Sequence, residues 1–386
     1  MLFQNGSIYI NHGFVVCDLR TVDDRICEIG TALKPAEDEE IHDLTGHKMI
    51  PGFIDIHTHG AVGIDVNHAS AKDLEKMSVF FASCGTTGWL CSVLTDTEEI
   101  TMRAIDAFLE WQALRHDGAL LHGIHLEGPF LSPAYKGAMP EQMLRLPDIA
   151  LIRRYQDRAK GNIRYITIAP ELPGALELIP ALKEMGICVA IGHSAADYDT
   201  SIRAIRAGAV AATHTGNAMR LLHQREPAIF GAVLEERNVF CEMICDGLHL
   251  HPATIRLILN AKGCERVIAI TDSVMAAGLG DGEYMLGVNE IVVKDGDATL
   301  KDGGSRAGST LTLDRALRNL VQFSGRSLES VIPLLTENPA HLFSMENSRG
   351  VLAPDGKADL VVIDENLSVH MTVVEGKVVF RKNGQI

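Results

Sequence analysis

Residues 52–63 read GFIDIHTHGAVG and carry the first indication of the fold. Two histidines, His57 and His59, follow an apolar run and precede a glycine. In a strand, residues i and i+2 point to the same side, so both imidazoles would converge on one point. Metal ligation requires such convergence. Taken alone, the pair also fits two polar residues at the point where a strand reaches a loop, and the rest of the chain has to separate these interpretations.

Seven further strand-like runs follow this first one, MIPGFIDIH (49–57). They are TTGWLCSVLT (86–95), LLHGIHLEG (120–128), IRYITIAPE (163–171), ICVAIGHS (187–194), AVAATHTGN (209–217), VFCEMICDG (239–247) and VIAITDS (267–273). Amphipathic stretches separate them, over 70–83, 101–115, 174–185, 197–207 and 252–262. Eight strand–helix units with nearly continuous apolar strands predict a parallel (β/α)8 barrel over residues 49–348. A doubly wound open sheet is the alternative.

Both ends of the chain have a different pattern. Residues 1–48 and 349–386 contain short apolar runs separated by turn residues, which is typical of β-hairpins. We therefore expect an α/β protein in which a TIM-like barrel is flanked by all-β segments at both chain ends. Within the barrel segment, the glycine- and aspartate-rich stretch 295–304 predicts a hairpin turn.

Polar side chains recur where the predicted strands end. Active sites of such barrels lie at the carboxyl ends of the strands. The residues at these ends are His57 and His59 on the first strand, His125 and Glu127 on the third, His193 on the fifth, His214 on the sixth, Asp246 and His249 on the seventh, and Asp272 on the eighth. So many ligand-type side chains at one mouth predict a metal site.

The ligand types limit the metal and its chemistry. Imidazole and carboxylate ligands without cysteine favour Zn, Fe, Mn or Co, and a bridging carboxylate allows one or two ions. Such an ion lowers the pKa of water from about 16 towards about 7, and a nearby aspartate can accept and return the proton. These parts are those of a hydrolase for an amide, ester or ring C–N bond.

Composition excludes some classes of partner. The 386 residues carry a formal net charge of −15, which argues against a non-specific nucleic-acid binder. A small phosphate remains possible, because one or two local cations suffice to bind it. We read no signal peptide and no apolar run of about 18 residues, and the eight cysteines form no CxxC pair. The expectation is a cytoplasmic protein without a membrane partner.

A series of short motifs, separated by other segments, occurs along the chain in this order: HTHG, HLEGPF, GHS, TH followed by NAM, REP, DGLH and TDS. This array resembles the amidohydrolase superfamily and, more closely, the N-acetylglucosamine-6-phosphate deacetylase family. The likeness covers essentially the whole chain. It implies a (β/α)8 barrel with a small β-sandwich domain formed by both chain ends, residues 1–48 and 349–386, in agreement with the organisation above. It also implies metal-dependent hydrolysis of the N-acetyl amide of an amino sugar 6-phosphate, yielding the sugar amine and acetate.

The resemblance also implies roles for individual residues. Glu127, His193 and His214 would hold one metal ion. His57 and His59 would add a second, with Glu127 bridging, although some family members lack this pair and use one ion. Asp272 would act as the acid and base.

On the substrate side, the resemblance implies that backbone N–H groups of Asn217 and Ala218, together with Arg225 and His249, bind the 6-phosphate. A surface arginine that pairs with Glu226 or Glu235 is the alternative reading of Arg225. One phosphate contact crosses a subunit interface in the family, which implies a homodimer. The remaining residues assigned to substrate binding are Ala138, Met139, Asp246, Arg306, Ala307 and Gly308.

The sequence departs from the family pattern in three places. Met139 stands where His or Gln is usual, and a thioether cannot donate their hydrogen bond. Thr215 and Gly216 replace Leu and an aromatic residue, and the loop 305–308 reads SRAG instead of TLAG. These changes fit two alternatives. One is tolerated sequence drift within the family, and the other is a paralogue that acts on another N-acyl hexosamine phosphate.

Two rival functions have weaker support from the sequence. A different metal-dependent amidohydrolase usually needs a carbamylated lysine or other strand-end ligands, and no lysine lies at a predicted strand end. A non-catalytic sugar-phosphate sensor would not need the acid and base, yet Glu127 and Asp272 are both present.

Overall fold

The computed structural model describes residues 1–382. The strands are β1 (Leu2–Ile10), β2 (Gly13–Val22), β3 (Arg25–Gly30), β4 (Ile41–Asp43), β5 (Lys48–Pro51), β6 (Phe53–Thr58), β7 (Gly60–Ala61), β8 (Ile64–Asp65), β9 (Thr86–Leu94), β10 (Leu120–Glu127), β11 (Ile163–Ile168), β12 (Cys188–Ile191), β13 (Ala211–Ala212), β14 (Phe240–Ile244), β15 (Val267–Ile270), β16 (Gly282–Leu286), β17 (Asn289–Lys294), β18 (Asp297–Leu300), β19 (Leu360–Ile363), β20 (Val369–Val374) and β21 (Lys377–Arg381). The α-helices are α1 (Ala71–Ser83), α2 (Glu98–Trp111), α3 (Ile149–Arg158), α4 (Ala175–Glu184), α5 (Tyr198–Ala207), α6 (Ala228–Glu235), α7 (Pro252–Lys262), α8 (Leu313–Ser324), α9 (Leu328–Val331) and α10 (Glu337–Leu342).

Eight parallel strands form the barrel, in the order β6, β9, β10, β11, β12, β13, β14 and β15. The ring closes between β15 and β6. There, Asp272 N donates to His57 O at 2.9 Å, and Thr58 bridges Ser273 in parallel. Each predicted strand contributes one strand to this ring, so the barrel is confirmed and the open sheet is wrong.

Burial on both faces explains the apolar strands. Every residue of β6 and β9 is buried, because helices cover the outside while side chains fill the inside. The five amphipathic stretches correspond to α1, α2, α4, α5 and α7, within four residues at either end. The start of α1 is fixed by a capping box, in which Ser70 and Asp73 exchange hydrogen bonds with each other's backbone N–H.

The chain ends form a second sheet. Its strand order is β21, β20, β19, β5, β1, β2 and β3, and β4 pairs with β1. A separate core lies on it, with Phe3, Ile8, Leu19, Met49 and Met371 fully buried. Strand β5 extends past residue 48, where the sequence predicts the boundary between the two domains.

A third sheet is inserted after β15. Strands β16, β17 and β18 are antiparallel neighbours in that order, and we call residues 282–300 the flap. The predicted turn at 295–304 is present between β17 and β18, but β18 itself lies within this stretch. Apolar flap residues pack on Leu94, Leu131 and Met139, which ties the flap to the barrel mouth.

Within the described residues, no helix combines the length and the apolar character needed to cross a membrane.

Candidate active site

The barrel brings the predicted metal ligands to one end of the strands. Glu127 is the last residue of β10, and His193 and His214 follow β12 and β13 within two residues. Asp272 follows β15 in the same way. His193, His214 and Asp272 have positive φ angles of 45°, 28° and 49°. Non-glycine residues rarely adopt such angles, and the strain they carry is typical of functional sites.

Two groups of side chains can each hold a metal ion, and Glu127 belongs to both. In the first, Glu127 Oε1 lies 3.1 Å from His193 Nε2 and 3.2 Å from His214 Nε2. In the second, Glu127 Oε2 lies 3.1 Å from His59 Nε2, and Oε1 lies 3.4 Å from His57 Nε2. Glu127 thus lies within reach of both groups, and its bridging of two ions stays a prediction.

The protonation of three imidazoles suits metal binding. Nδ1 of His57 lies 3.1 Å from Glu242 Oε2, Nδ1 of His59 lies 3.0 Å from Ser92 O, and Nδ1 of His193 lies 2.8 Å from Tyr135 O. These oxygens only accept hydrogen bonds, so each Nδ1 carries the proton. Each Nε2 therefore faces the centre, and it presents its lone pair to a metal ion once that ion displaces any proton held there.

The centre also attracts positive charge. Burial opposes ionisation of Glu127, but the neighbouring His57, His193 and His214 hold the pKa of its carboxyl well below the usual range. Burial lowers the pKa of His57, yet Glu127 and Asp272 outweigh it and raise this pKa well above the usual value. Converging lone pairs, a buried carboxylate and a need for positive charge fit a divalent cation.

Asp272 lies beside the second group. Its Oδ1 is 3.3 Å from His59 Nε2 and 3.6 Å from His57 Nε2. The side chain is 11% exposed, so it borders the cavity while the backbone is held by His57 O. Burial raises the pKa of this carboxyl, but the charges of His57 and His59 outweigh burial, and the net pKa is lowered. Asp272 is therefore ionised at neutral pH and can accept a proton.

A cavity of about 350 Å³ opens above the metal ligands. Its wall includes Asp272 and four of the predicted ligands: His59, Glu127, His193 and His214. The predicted substrate residues in the wall are Ala138, Met139, Asn217, Ala218, His249, Arg306, Ala307 and Gly308. His57 lies fully buried below the cavity.

Two predicted substrate residues lie outside this wall. Asp246 acts through His249, since its Oδ2 lies 2.7 Å from His249 Nδ1 and orients the ring. Arg225 is exposed and lines a separate cavity with Tyr198, Arg220 and Glu226. Glu226 pairs with Arg220, so the predicted alternative pairing of Arg225 with Glu226 is not formed.

In the described chain, Arg306 is the only Lys or Arg in the catalytic cavity wall, and Asp297 binds it through two hydrogen bonds.

Sequence reasoning missed one buried carboxylate that organises the site. Glu242 on β14 is 0% exposed. It accepts hydrogen bonds from His57 Nδ1, from the His214 backbone N–H at 3.0 Å and from Tyr165 Oη at 2.6 Å. A single carboxylate inside the apolar run VFCEMIC was the available signal, because a buried charge needs partners.

His125 has a supporting position below the centre. Its Nδ1 lies 2.9 Å from Ser92 Oγ and its Nε2 lies 3.0 Å from Thr167 Oγ1, so both ring nitrogens are bound by hydroxyl groups. Burial holds its pKa well below the usual value, and the ring packs neutral against His57 with centroids 4.6 Å apart. His125 is therefore not available as a ligand.

Comparison with known proteins gives consistent matches. The model of the amidohydrolase family matches residues 49–379. N-acetylglucosamine-6-phosphate deacetylase of Bacillus subtilis (strain 168) is 35% identical over 98% of this chain and 94% of its own. N-acetylgalactosamine-6-phosphate deacetylase of Escherichia coli O157:H7 is 34% identical over 85% of this chain and 87% of its own.

Comparison with solved structures points to the same family as the sequence relatives. A mutant N-acetyl-D-glucosamine-6-phosphate deacetylase of Mycobacterium smegmatis, in complex with N-acetyl-D-glucosamine-6-phosphate, superimposes with a TM-score of 0.91. It is 34% identical, and the match covers 98% of this chain and 99% of that one. The predicted resemblance is therefore confirmed: the chain belongs to the amidohydrolase family and, within it, to the N-acetylglucosamine-6-phosphate deacetylase family.

Proposed function

We propose that this chain hydrolyses the N-acetyl amide of an amino sugar 6-phosphate, converting N-acetylglucosamine 6-phosphate and water to glucosamine 6-phosphate and acetate. The observation that carries the proposal is one cavity that joins two metal-binding groups, a buried Asp272 and the loop of Asn217 and Ala218. The names and coverage of the relatives support it.

The metal would be held by the two groups that share Glu127: His193 and His214 in one, His57 and His59 in the other. A divalent ion, with Zn, Fe, Mn or Co compatible with these ligands, polarises an amide carbonyl and acidifies water. The hydrogen bonds of Glu242, Ser92 O and Tyr135 O fix the imidazoles before the ion arrives.

Asp272 would move the proton. Its carboxylate takes a proton from the attacking water, and the water oxygen forms a bond to the acyl carbon. The C–N bond then breaks, and Asp272 delivers the proton to the leaving sugar amine. The net lowering of the Asp272 pKa by its charged neighbours favours the ionised carboxylate that this proton transfer requires.

The phosphate would lie where Asn217, Ala218 and His249 line the cavity. Asp246 Oδ2 lies 2.7 Å from His249 Nδ1 and fixes the orientation of this ring beside the proposed phosphate position. Arg225 lies outside this wall in the single chain. We therefore assign Arg225 to the phosphate of a neighbouring subunit in a homodimer.

Sequence identity does not separate the two hexosamine epimers. The relative named for N-acetylglucosamine 6-phosphate is 35% identical to this chain, and the relative named for N-acetylgalactosamine 6-phosphate is 34% identical. The altered residues Met139, Thr215, Gly216 and Arg306 also allow a paralogue with another N-acyl hexosamine phosphate. Acetate release should be compared for both N-acetylhexosamine 6-phosphates and for their unphosphorylated sugars. The proposal predicts a preference of at least about tenfold for a phosphorylated sugar. Equal rates with and without phosphate would make the chain a generic amidohydrolase.

A further inference from the structure

One wall of the catalytic cavity is apolar and thin. Leu94, Met139 and Leu286 line the cavity, and each is no more than 7% exposed. The same three side chains, with Ala138, also line a second, small void of about 10 Å³, whose remaining lining includes Thr95, Asp96 and Asn289. A void of that size holds about one water-sized group. The wall therefore separates the cavity from space into which an apolar group can extend.

The strand order places this wall opposite the proposed phosphate site. Leu94 ends β9, the second strand of the ring, whereas Asn217 and Ala218 follow β13, the sixth. Four positions in a ring of eight lie across the barrel. The proposed function places the scissile carbonyl at the metal ligands and the sugar phosphate towards Asn217. The acyl substituent of the same carbonyl then extends towards Leu94 and Met139.

Met139 is the adjustable part of this wall. It packs against Leu94, Leu286 and Ala307 in the apolar cluster below the flap. A methionine side chain is unbranched and fills or vacates irregular space at little cost. The loop that carries it is held from the flap side, because Asn289 Nδ2 donates to Ala138 O at 2.7 Å. The side chain can thus move while its backbone stays in place.

We propose that Leu94, Met139 and Leu286 form an acyl pocket, and that the enzyme hydrolyses N-acyl hexosamine 6-phosphates with an acyl chain longer than acetyl. This inference rests on the proposed function and extends its substrate class to N-propionyl and N-butyryl amides. The reaction is unchanged: water adds to the acyl carbon, the C–N bond breaks, and a longer carboxylate replaces acetate. Met139 determines the length that is accepted.

The chemistry of the wall also predicts selectivity between acyl groups of equal size. N-propionyl and N-glycolyl differ only by a terminal methyl or hydroxyl group. Where the acyl end meets the wall, the side chains of Leu94 and Leu286 offer no hydrogen-bond partner and the thioether of Met139 only a weak acceptor, so a hydroxyl placed against the wall loses its hydration without replacement. The propionyl amide should be preferred.

The test measures kcat/KM for N-acetyl, N-propionyl, N-butyryl and N-glycolyl derivatives of the hexosamine 6-phosphate that the enzyme hydrolyses best. For the unaltered enzyme, we expect N-propionyl to lie within about threefold of N-acetyl and at least tenfold above N-glycolyl. Met139→Ala should raise the ratio of N-butyryl to N-acetyl by about fourfold per accommodated methylene. Val293→Ala is the control, because Val293 lies in the same apolar cluster but lines neither cavity. It should leave the ratio unchanged.

Failure of this inference is distinct from failure of the proposed function. If N-acetyl substrates are hydrolysed but Met139→Ala and Val293→Ala give the same acyl ratios, the acyl pocket is wrong and the proposed function stands. An N-glycolyl rate equal to the N-propionyl rate also overturns the pocket. If no N-acyl hexosamine 6-phosphate is hydrolysed by the metal-loaded enzyme, both proposals are wrong.

Discussion

Asp272 combines a left-handed backbone, a buried carboxylate and a place in the cavity wall. Asp272→Asn keeps the shape of this side chain but cannot take up a proton. We expect turnover to fall by about 10²- to 10⁴-fold, the usual contribution of a positioned acid–base group. Acetate release at saturating substrate measures this. Metal content and thermal stability of the variant are the controls, and both should stay close to those of the parent protein. More than about a tenth of the parent rate would contradict the assigned role.

Glu242 offers a test of ligand positioning. In Glu242→Gln, an amide faces His57 Nδ1 and the proton on that nitrogen is no longer fixed. Loss of such a supporting partner typically lowers metal affinity or activity by about 10- to 100-fold. Metal affinity measured by competition with a chelator reports this directly.

Tyr165→Phe is the matched control for Glu242→Gln. It removes the hydrogen bond from Tyr165 Oη to Glu242 Oε1 but leaves the bond to His57 intact. We expect a much smaller loss of metal affinity. Equal losses in the two variants would mean that Glu242 supports the fold in general and does not position His57.

Some of the site residues could be identified from the sequence and others could not, for physical reasons. His57, His59, Glu127, His193 and His214 could be found because ligand-type side chains recur at strand ends. Glu242 could not be ranked, since one carboxylate in an apolar strand has no spacing that identifies its partners. Arg225 could not be placed, because its distance from the cavity depends on the path of a loop.

At the scale of elements, the histidines of the two metal groups come from strands on opposite sides of the ring. His57 lies on β6 with His59 just after it, while His193 and His214 follow β12 and β13. We predict that His57→Gln combined with His59→Asn removes one ion and leaves measurable activity. Replacing His193 or His214 should abolish activity, because it removes a ligand of the ion to which we assign the hydrolytic water.

Elemental analysis of the purified variants distinguishes these outcomes. The parent protein should carry up to two ions per chain and the His57/His59 variant one fewer. An identical metal count in the two proteins would contradict a second site on β6. The parent site would then hold a single ion.

Element prediction succeeded where hydrophobic pattern decides the structure. Strands such as β9 are apolar throughout because both faces are buried, and helices such as α7 show a single apolar face. The flap strands β16 and β17 escaped prediction. Their more exposed residues alternate with buried or half-buried ones over only five or six positions, which is short for a periodic signal.

At the scale of the whole molecule, the position of Arg225 makes a subunit test possible. If Arg225 serves the neighbouring site, Arg225→Ala should lower kcat/KM for the phosphorylated sugar by about 10- to 150-fold. This follows from about 1.5–3 kcal/mol for a charge-assisted hydrogen bond. The unphosphorylated sugar should be unaffected, because it lacks the group that Arg225 binds.

Mixing the two impaired variants Arg225→Ala and Asp272→Asn then shows whether Arg225 acts on the site of the neighbouring subunit. In a dimer of one Arg225→Ala chain and one Asp272→Asn chain, the first chain keeps Asp272 and receives Arg225 from the second. Random reassociation of equal amounts should restore about a quarter of the parent activity. Each variant reassociated with itself is the control. Mixed dimers without restored activity would show that Arg225 does not act across an interface.

The β-hairpin character of both chain ends could be predicted from their residue patterns. The pairing of their strands in one sheet could not. Both ends show hairpin patterns, yet only the structure shows β19 beside β5 and β1 beside β2. Pairing between residues more than 300 positions apart depends on the closed barrel that brings the ends together. Sequence pattern alone is local and cannot specify it.

The most direct test of the central claim is the stoichiometry of products formed by protein of known metal content. Metal-loaded protein incubated with N-acetylglucosamine 6-phosphate should release one acetate and one free amine per substrate molecule consumed. Removing the metal with a chelator should abolish the release, and adding the metal back should restore it. Metal-loaded protein that releases neither product from this substrate or from its galactosamine epimer would contradict the account.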